Sequence, residues 1–394
     1  MRKHQSSALF LALTIPLLGI SAAEPDVTML KAARGALALM RSQPKDREAA
    51  AEAAAARFMA GGKLLVAGSI PLFAVEWTNR SGGLMAAAAL KDPSALSVAD
   101  ILIYGCLIGS EEADASALTA AREKGALVIA FGTKEQAARL RSAVDFFLAA
   151  DIPSATPLLI QTAACLDLAE LWAFTGDFVA ACTRAGQMPT MWQSIKVPGS
   201  TERNRLYRPL RFHEDLHIAP VKPEVLGTQY LDGLIRSLDG LVAETKPIRA
   251  AARLIRNASK AGHSVVHANL GHFEPARLLP AGFPIRVIAL PARLPETELP
   301  KVAAPGDVLF AIWYHEMPRA LLDASRSKGM RTIVVAGRNP FAPLDTKLAD
   351  VYIDPKWVVG DAIVEVPGYD IKIIPPSAVL NGLVFYAVMA DARP

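Results

Sequence analysis

Lys124-Gly-Ala-Leu-Val-Ile-Ala-Phe-Gly132 decides the fold, because the same construction returns roughly 200 residues later as Lys328-Gly-Met-Arg-Thr-Ile-Val-Val-Ala-Gly337. In each copy a lysine closes a helical stretch, a glycine can take the left-handed cap, and an apolar run follows. A short run of this kind fits a parallel strand buried on both faces. Three further pairs recur in the same order. Gly62-Lys-Leu-Leu-Val-Ala-Gly-Ser69 matches Gly262-His-Ser-Val-Val-His-Ala-Asn269, and Asp100-Ile-Leu-Ile-Tyr-Gly105 matches Asp307-Val-Leu-Phe-Ala-Ile312. Val144-Asp145-Phe-Phe-Leu then matches Ala349-Asp350-Val-Tyr-Ile. Self-similarity at a nearly fixed offset marks a duplicated unit.

Helical stretches at 113–124 and 318–328 separate the second and third strands of the two halves. Strand, helix, strand at this spacing implies right-handed crossovers and a sheet covered on both faces. An Ala-rich helix over 46–59 precedes the first strand. Its counterpart reads as one long helix over 228–261, with Leu231, Leu234, Ile235, Leu238 and Leu241 at helical spacing. Apolar helices over 156–174 and 377–391 close the units. Residues 194–226 carry four prolines and many charges, so they read as a connector rather than a third core. The expected fold class is α/β, with two doubly wound parallel-sheet domains of three αβα layers in tandem. The boundaries are 1–23 for a signal peptide, 24–193 for the first domain, 194–227 for the connector and 228–394 for the second domain.

At 394 residues the chain exceeds one ordinary core. A hydrophobic share of 52% with 20% charged residues excludes a disordered chain. The net charge is +4, and no basic run is interleaved with aromatics, so no nucleic-acid partner is expected. Arg2, Lys3 and His4, the apolar stretch from Ala8 to Ile20, and Ser21-Ala22-Ala23 form the three parts of a secretory signal. The apolar stretch contains Pro16 and is short for a spanning helix. The expectation is a periplasmic or secreted protein with no membrane association after cleavage. Cys106, Cys165 and Cys182 are an odd set, and all three read as buried small hydrophobes.

The order of elements resembles the SIS (sugar isomerase) domain, over roughly residues 30 to 185 and 228 to 394. Arg80-Ser81-Gly82-Gly83-Leu84 and Gly271-His272 are similar to segments of one SIS subgroup, as is Gly360-Asp361-Ala362 followed by Gly368 and Ser377. The resemblance implies tandem SIS-like units and a small-molecule, sugar-like ligand, with a homo-oligomer left open. The family's Ser-x-Ser-Gly-x-Thr phosphate loop is not matched in either unit. The first offers Cys106-Leu-Ile-Gly-Ser110-Glu111-Glu112, whose carboxylates oppose an anion at a helix N-terminus, and the second offers Trp313-Tyr314-His315-Glu316.

Ligands of doubly wound sheets bind beyond the C-terminal strand ends, where strand order reverses. In the first unit those loops hold Ser69, Glu76, Asn79, Arg80, Ser110 and Glu112, an ordinary polar set. The second unit is richer, with His267, Asn269, His272 and Glu274 after one strand and Tyr314, His315 and Glu316 after the next. An aldose–ketose isomerase moves a proton beside the carbonyl, work for a carboxylate, and opens the sugar ring with a histidine. Glu316 or Glu274 would be the base, and His315 or His272 the ring-opening group. Ser69, Ser110, His267, Asn269, Tyr314, Asp361 and Ser377 are the candidate ligand contacts. The alternatives are a non-catalytic sugar-binding protein, and hydrogen-bonded loop residues with structural duties only.

His213-Glu214-Asp215-Leu216-His217 matches His-Glu-x-x-His, which on a helix would put two zinc ligands on one face. Pro220 cuts such a helix short and no third ligand follows, so a zinc peptidase is the distant third reading and no metal is expected. The segment could also lend His213 or His217 to a sugar site. Gly61-Gly62 and Gly82-Gly83 fit no dinucleotide pattern, so no cofactor is expected. Met188, Met191 and Trp192 read as packing.

Overall fold

The computed structural model describes residues 27–393, so the signal segment lies outside the described residues. The first half runs α1 (Thr28–Ser42), α2 (Lys45–Met59), β1 (Leu64–Gly68), α3 (Phe73–Trp77), β2 (Ala87–Ala89), β3 (Ile101–Gly105), α4 (Glu111–Glu123), β4 (Leu127–Thr133), α5 (Lys134–Leu140), β5 (Phe146–Ala150) and α6 (Leu159–Arg184). A connector carrying α7 (Ser200–Tyr207) follows. The second half runs α8 (Val225–Ala243), α9 (Lys246–Lys260), β6 (Val265–Asn269), β7 (Val287–Ala289), α10 (Pro295–Val302), β8 (Val308–Trp313), α11 (Arg319–Ser327), β9 (Arg331–Ala336), β10 (Val351–Ile353) and α12 (Ser377–Ala392).

The sheets are β2-β1-β3-β4-β5 and β7-β6-β8-β9-β10, parallel at every pairing and identical in order. The expected duplication and the three-layer α/β class are both present. Each strand order reverses between the first two long strands, β1 and β3 or β6 and β8. There Gly68 sits at φ +148°, and a Cβ on it would lie 2.4 Å from the Gly105 carbonyl oxygen, so the backbones touch where a ligand would otherwise enter.

The two outer sheet faces carry small cores of their own, under α4 and α5 in one unit and α10 and α11 in the other. The inner faces share one continuous core with α1, α2, α6, α8, α9 and α12. α6 is buried along nearly its whole length, Asp167, Glu170 and Asp177 included, and packs on α2, α8 and α12. Among the described residues no helix is long and apolar enough to cross a membrane.

One expectation needs correction. The helix read over 228–261 is two helices, because Pro247 in the first turn of α9 cannot continue the α8 hydrogen-bond ladder. The connector carries one helix of its own, α7.

Candidate functional site

In the first unit the reversal point is filled by the chain itself. The Ser69 hydroxyl accepts from the Leu107 amide at 2.7 Å and donates to Asp114 Oδ2 at 3.0 Å, while Tyr104 donates to Asp114 Oδ1 at 3.0 Å. The Gly109 amide donates to Glu111 at 3.1 Å. The amides that could cradle a phosphate are thus spent on internal oxygens. Burial raises the Asp114 carboxyl above its ordinary range against these two donors. Ser110 stands at the start of α4 without capping it.

In the second unit the expected residues separate. His267 lies in β6, fully buried, with Nδ1 donating to the Phe310 carbonyl at 2.8 Å. Its Nε2 comes within 2.9 Å of Glu274 Oε1, off the line of a good hydrogen bond. Burial opposes ionisation of Glu274, yet His267 holds it below the ordinary carboxylate range, and the same carboxylate caps the turn at Ala276. Asn269 folds its own loop, donating to Phe273 O at 2.8 Å and accepting from Gly271 N at 2.9 Å. Asn339 donates to His315 Nδ1 at 3.2 Å, and burial lowers the His315 pKa. Glu316 is exposed and pairs with Lys196 at 3.3 Å. The structure therefore does not bring His272, Glu274, His315 and Glu316 onto one pocket.

What the structure does assemble spans the halves. Arg80 donates to Glu76 at 3.1 Å and to Asp361 at 2.6 Å, and also to the Ser377 hydroxyl. Ser377 in turn bonds Asp361 through both its hydroxyl, at 2.8 Å, and its amide, at 3.2 Å. All four side chains are buried. Asp361 and Ser377 are thus occupied by Arg80. Burial pushes Glu76 up to about 7 despite Arg80.

Asn79 and Ser81, on either side of Arg80, line a cavity of about 640 Å³ between the halves. His272 faces them from the second unit, and the connector supplies Trp192, Gln193, Asn204, Arg205 and Arg208. Trp192 is held by a short ladder, Gly82 N to Trp192 O at 2.7 Å and Trp192 N to Gly83 O at 2.8 Å. Gly82 is required in that ladder, with φ +76° and a built Cβ 2.8 Å from the Ile374 amide. Burial and the nearby Arg80 lower His272 to about 4, so it is a neutral imidazole near pH 7. The Tyr314 hydroxyl lies 3.1 Å from Ser194 Oγ, and burial raises its pKa. Trp192, read from sequence as packing, is part of the cavity wall. The i, i+3 spacing of Arg205 and Arg208 was the available signal for the other wall.

His213-Glu-x-x-His217 is not on a helix, and His217 is exposed while His213 is buried. His213 Nε2 accepts from Tyr369 at 2.9 Å, and Nδ1 lies 3.2 Å from Asp215. The histidines share no face, so the zinc-peptidase reading fails on geometry. Among the described residues no group of three or more His, Cys, Asp and Glu side chains is placed to hold a metal. All three cysteines are free and buried.

The chain matches no protein-family model and no curated protein sequence. Solved structures do match it. One is a protein from Salmonella typhimurium LT2, provisionally named as sugar binding, at TM-score 0.55 and 11% identity over 92% of this chain and 97% of that one. The fold is that of tandem SIS-like units. A Clostridium difficile 630 protein, provisionally named as a phosphosugar isomerase, aligns at TM-score 0.53 and 8% identity over 92% of this chain and 91% of that one. At these identities the likeness carries the architecture and no residue roles.

Proposed function

We propose that this SIS-like protein binds a sugar-like small molecule between its two halves, in the cavity walled by Trp192, Asn79, Ser81 and His272. The observation that carries the reading is the composition of that wall. An aromatic ring offers a flat apolar face, amide and hydroxyl side chains match sugar hydroxyls, and both halves contribute. The names given to the Salmonella and Clostridium proteins, sugar binding and phosphosugar isomerase, support the same ligand class.

Binding without turnover is the reading we favour. Aldose–ketose isomerisation needs a carboxylate beside the sugar carbonyl, and among the described residues none lines this cavity. A histidine lowered to about 4 is a weak base at neutral pH and serves better as a hydrogen-bonding group. Export through the segment 1–23 remains part of the proposal.

Titration of intrinsic fluorescence with a panel of neutral, acidic and phosphorylated sugars tests it. Trp192→Ala should weaken a sugar that binds by roughly two- to tenfold, the worth of a ring contact. Turnover of any of these sugars by the wild-type protein would restore the isomerase reading.

A further inference from the structure

The interdomain cavity does not end at Trp192. Trp192 and Gln193 also line a neighbouring cavity of about 250 Å³, whose other wall includes Val359, Ala362 and Lys372. Those three residues in turn line a cavity of about 700 Å³, where the chain leaves β9 and β10. Each space thus shares wall residues with the next. Together they exceed the roughly 1,000 Å³ at the upper end of small-molecule sites, so one sugar ring fills only part of the run.

Its charge is uneven in a way that selects a ligand. The carboxylates along it are already neutralised: Asp370 by Arg203 at 2.6 Å, Glu244 by Lys356 at 2.6 Å and Asp354 by Arg338 at 3.1 Å. Arg205 and Arg208 in the first cavity and Arg236 in the last have no ion-pair partner among the described residues. A guanidinium is therefore available near each end of the run, in the planar fork that suits a carboxylate. Among the described residues, Trp192 is the one Phe, Tyr or Trp side chain lining the three cavities. A single-stranded nucleic acid would want a succession of such platforms.

We propose that the run is a track for an acidic oligosaccharide, a chain of sugar units bearing carboxylates. One ring lies against Trp192, with acid groups at Arg205 and Arg208 and, further along, at Arg236. The proposal rests on the sugar-binding reading of the first cavity and extends it from one sugar to a chain.

Calorimetric titration of the mature protein with oligogalacturonides of one to six units is the test, beside cello-oligosaccharides of equal length and an oligothymidylate. Affinity should climb at least tenfold from galacturonate to the tetramer. The neutral series and the oligothymidylate should stay at least tenfold weaker than the acid tetramer. Arg236 is exposed, so Arg236→Ala leaves the fold intact; it should weaken the tetramer several-fold and leave galacturonate unchanged. Replacing Arg205 and Arg208 together by alanine should weaken both. Equal affinity for galacturonate and tetramer would overturn the track and leave the single-sugar reading standing. Neutral chains or oligothymidylate binding as tightly as the acid chain would overturn the acidic ligand. If no saccharide of any length binds, the sugar-binding reading falls with the track.

Discussion

Arg80 and Asp361 come from opposite halves of the chain and meet at 2.6 Å with both side chains buried. The flanking residues Asn79 and Ser81 stand in the cavity wall. This buried ion pair between the halves is thus continuous with the backbone that shapes the cavity. Arg80 is a positioning residue rather than a ligand contact.

Removing it strands two buried carboxylates. Arg80→Ala should cost about 3–5 kcal/mol, the usual penalty for breaking a buried pair from one side. Arg34→Ala, which removes a pair with Asp239 at 3.0 Å, should cost far less, because both groups are exposed and water screens them. Urea denaturation of both variants measures the contrast, and equal losses would show that the Arg80 cluster does not tie the halves together.

Glu76 gives the cluster a pH signature. Its folded value, about 7, lies above its ordinary 4.5, so between these values the native state holds a proton that the unfolded chain has released. The stability from this carboxyl is complete below 4.5 and is lost as pH rises through about 7. Glu76→Gln should therefore lack that decline. The difference between wild-type and variant stability, followed from pH 4.5 to 8, isolates it from other buried carboxylates such as Asp167.

The long strands are legible because each is a short apolar run opened by Gly or Asp and repeated in the other half, which a buried helix segment alone would not reproduce. β2 and β7 are not, since three residues at a sheet edge make no pattern. The site was less readable. His267 looked like a loop ligand, yet it is a β6 side chain with both faces covered, and periodicity cannot tell inward from outward in such a strand. Glu76 and Arg80 read as ordinary polar loop residues because Asp361, which meets Arg80, lies 281 positions away from it. The connector's share of the cavity wall is not legible in the sequence, because prolines and charges signal a spacer and not where it docks.

That docking predicts how the connector responds to metal. Tyr369 accepts from Arg203 at 2.9 Å and donates to His213, while Tyr207 donates to Asp215 at 2.6 Å. His213→Ala should cost about 1–3 kcal/mol, by removing the acceptor of the Tyr369 O–H from a buried contact while Arg203 still donates to its oxygen. Chelator or added zinc should not shift the melting temperature of either protein. A zinc-dependent shift abolished by the substitution would return the motif to metal chemistry.

Glu316 carries the sharpest test of catalysis. Its carboxylate is half exposed and pairs with Lys196, itself 40% exposed, so water screens the pair and little stability depends on it. Glu316→Gln should change stability by less than about 0.5 kcal/mol, the range of ordinary surface substitutions. It should also leave sugar affinity within twofold, because Glu316 does not line the cavity. For an isomerase using this carboxylate the expectation is opposite. Proton transfer by a positioned base contributes roughly 10²–10⁴-fold, so the amide would keep binding and lose turnover. A coupled assay for aldose–ketose interconversion, run on wild type and Glu316→Gln with any sugar that binds, separates the two. Activity in the wild type that the variant lacks would mean that Glu316 leaves Lys196 and reaches the ligand when the site fills.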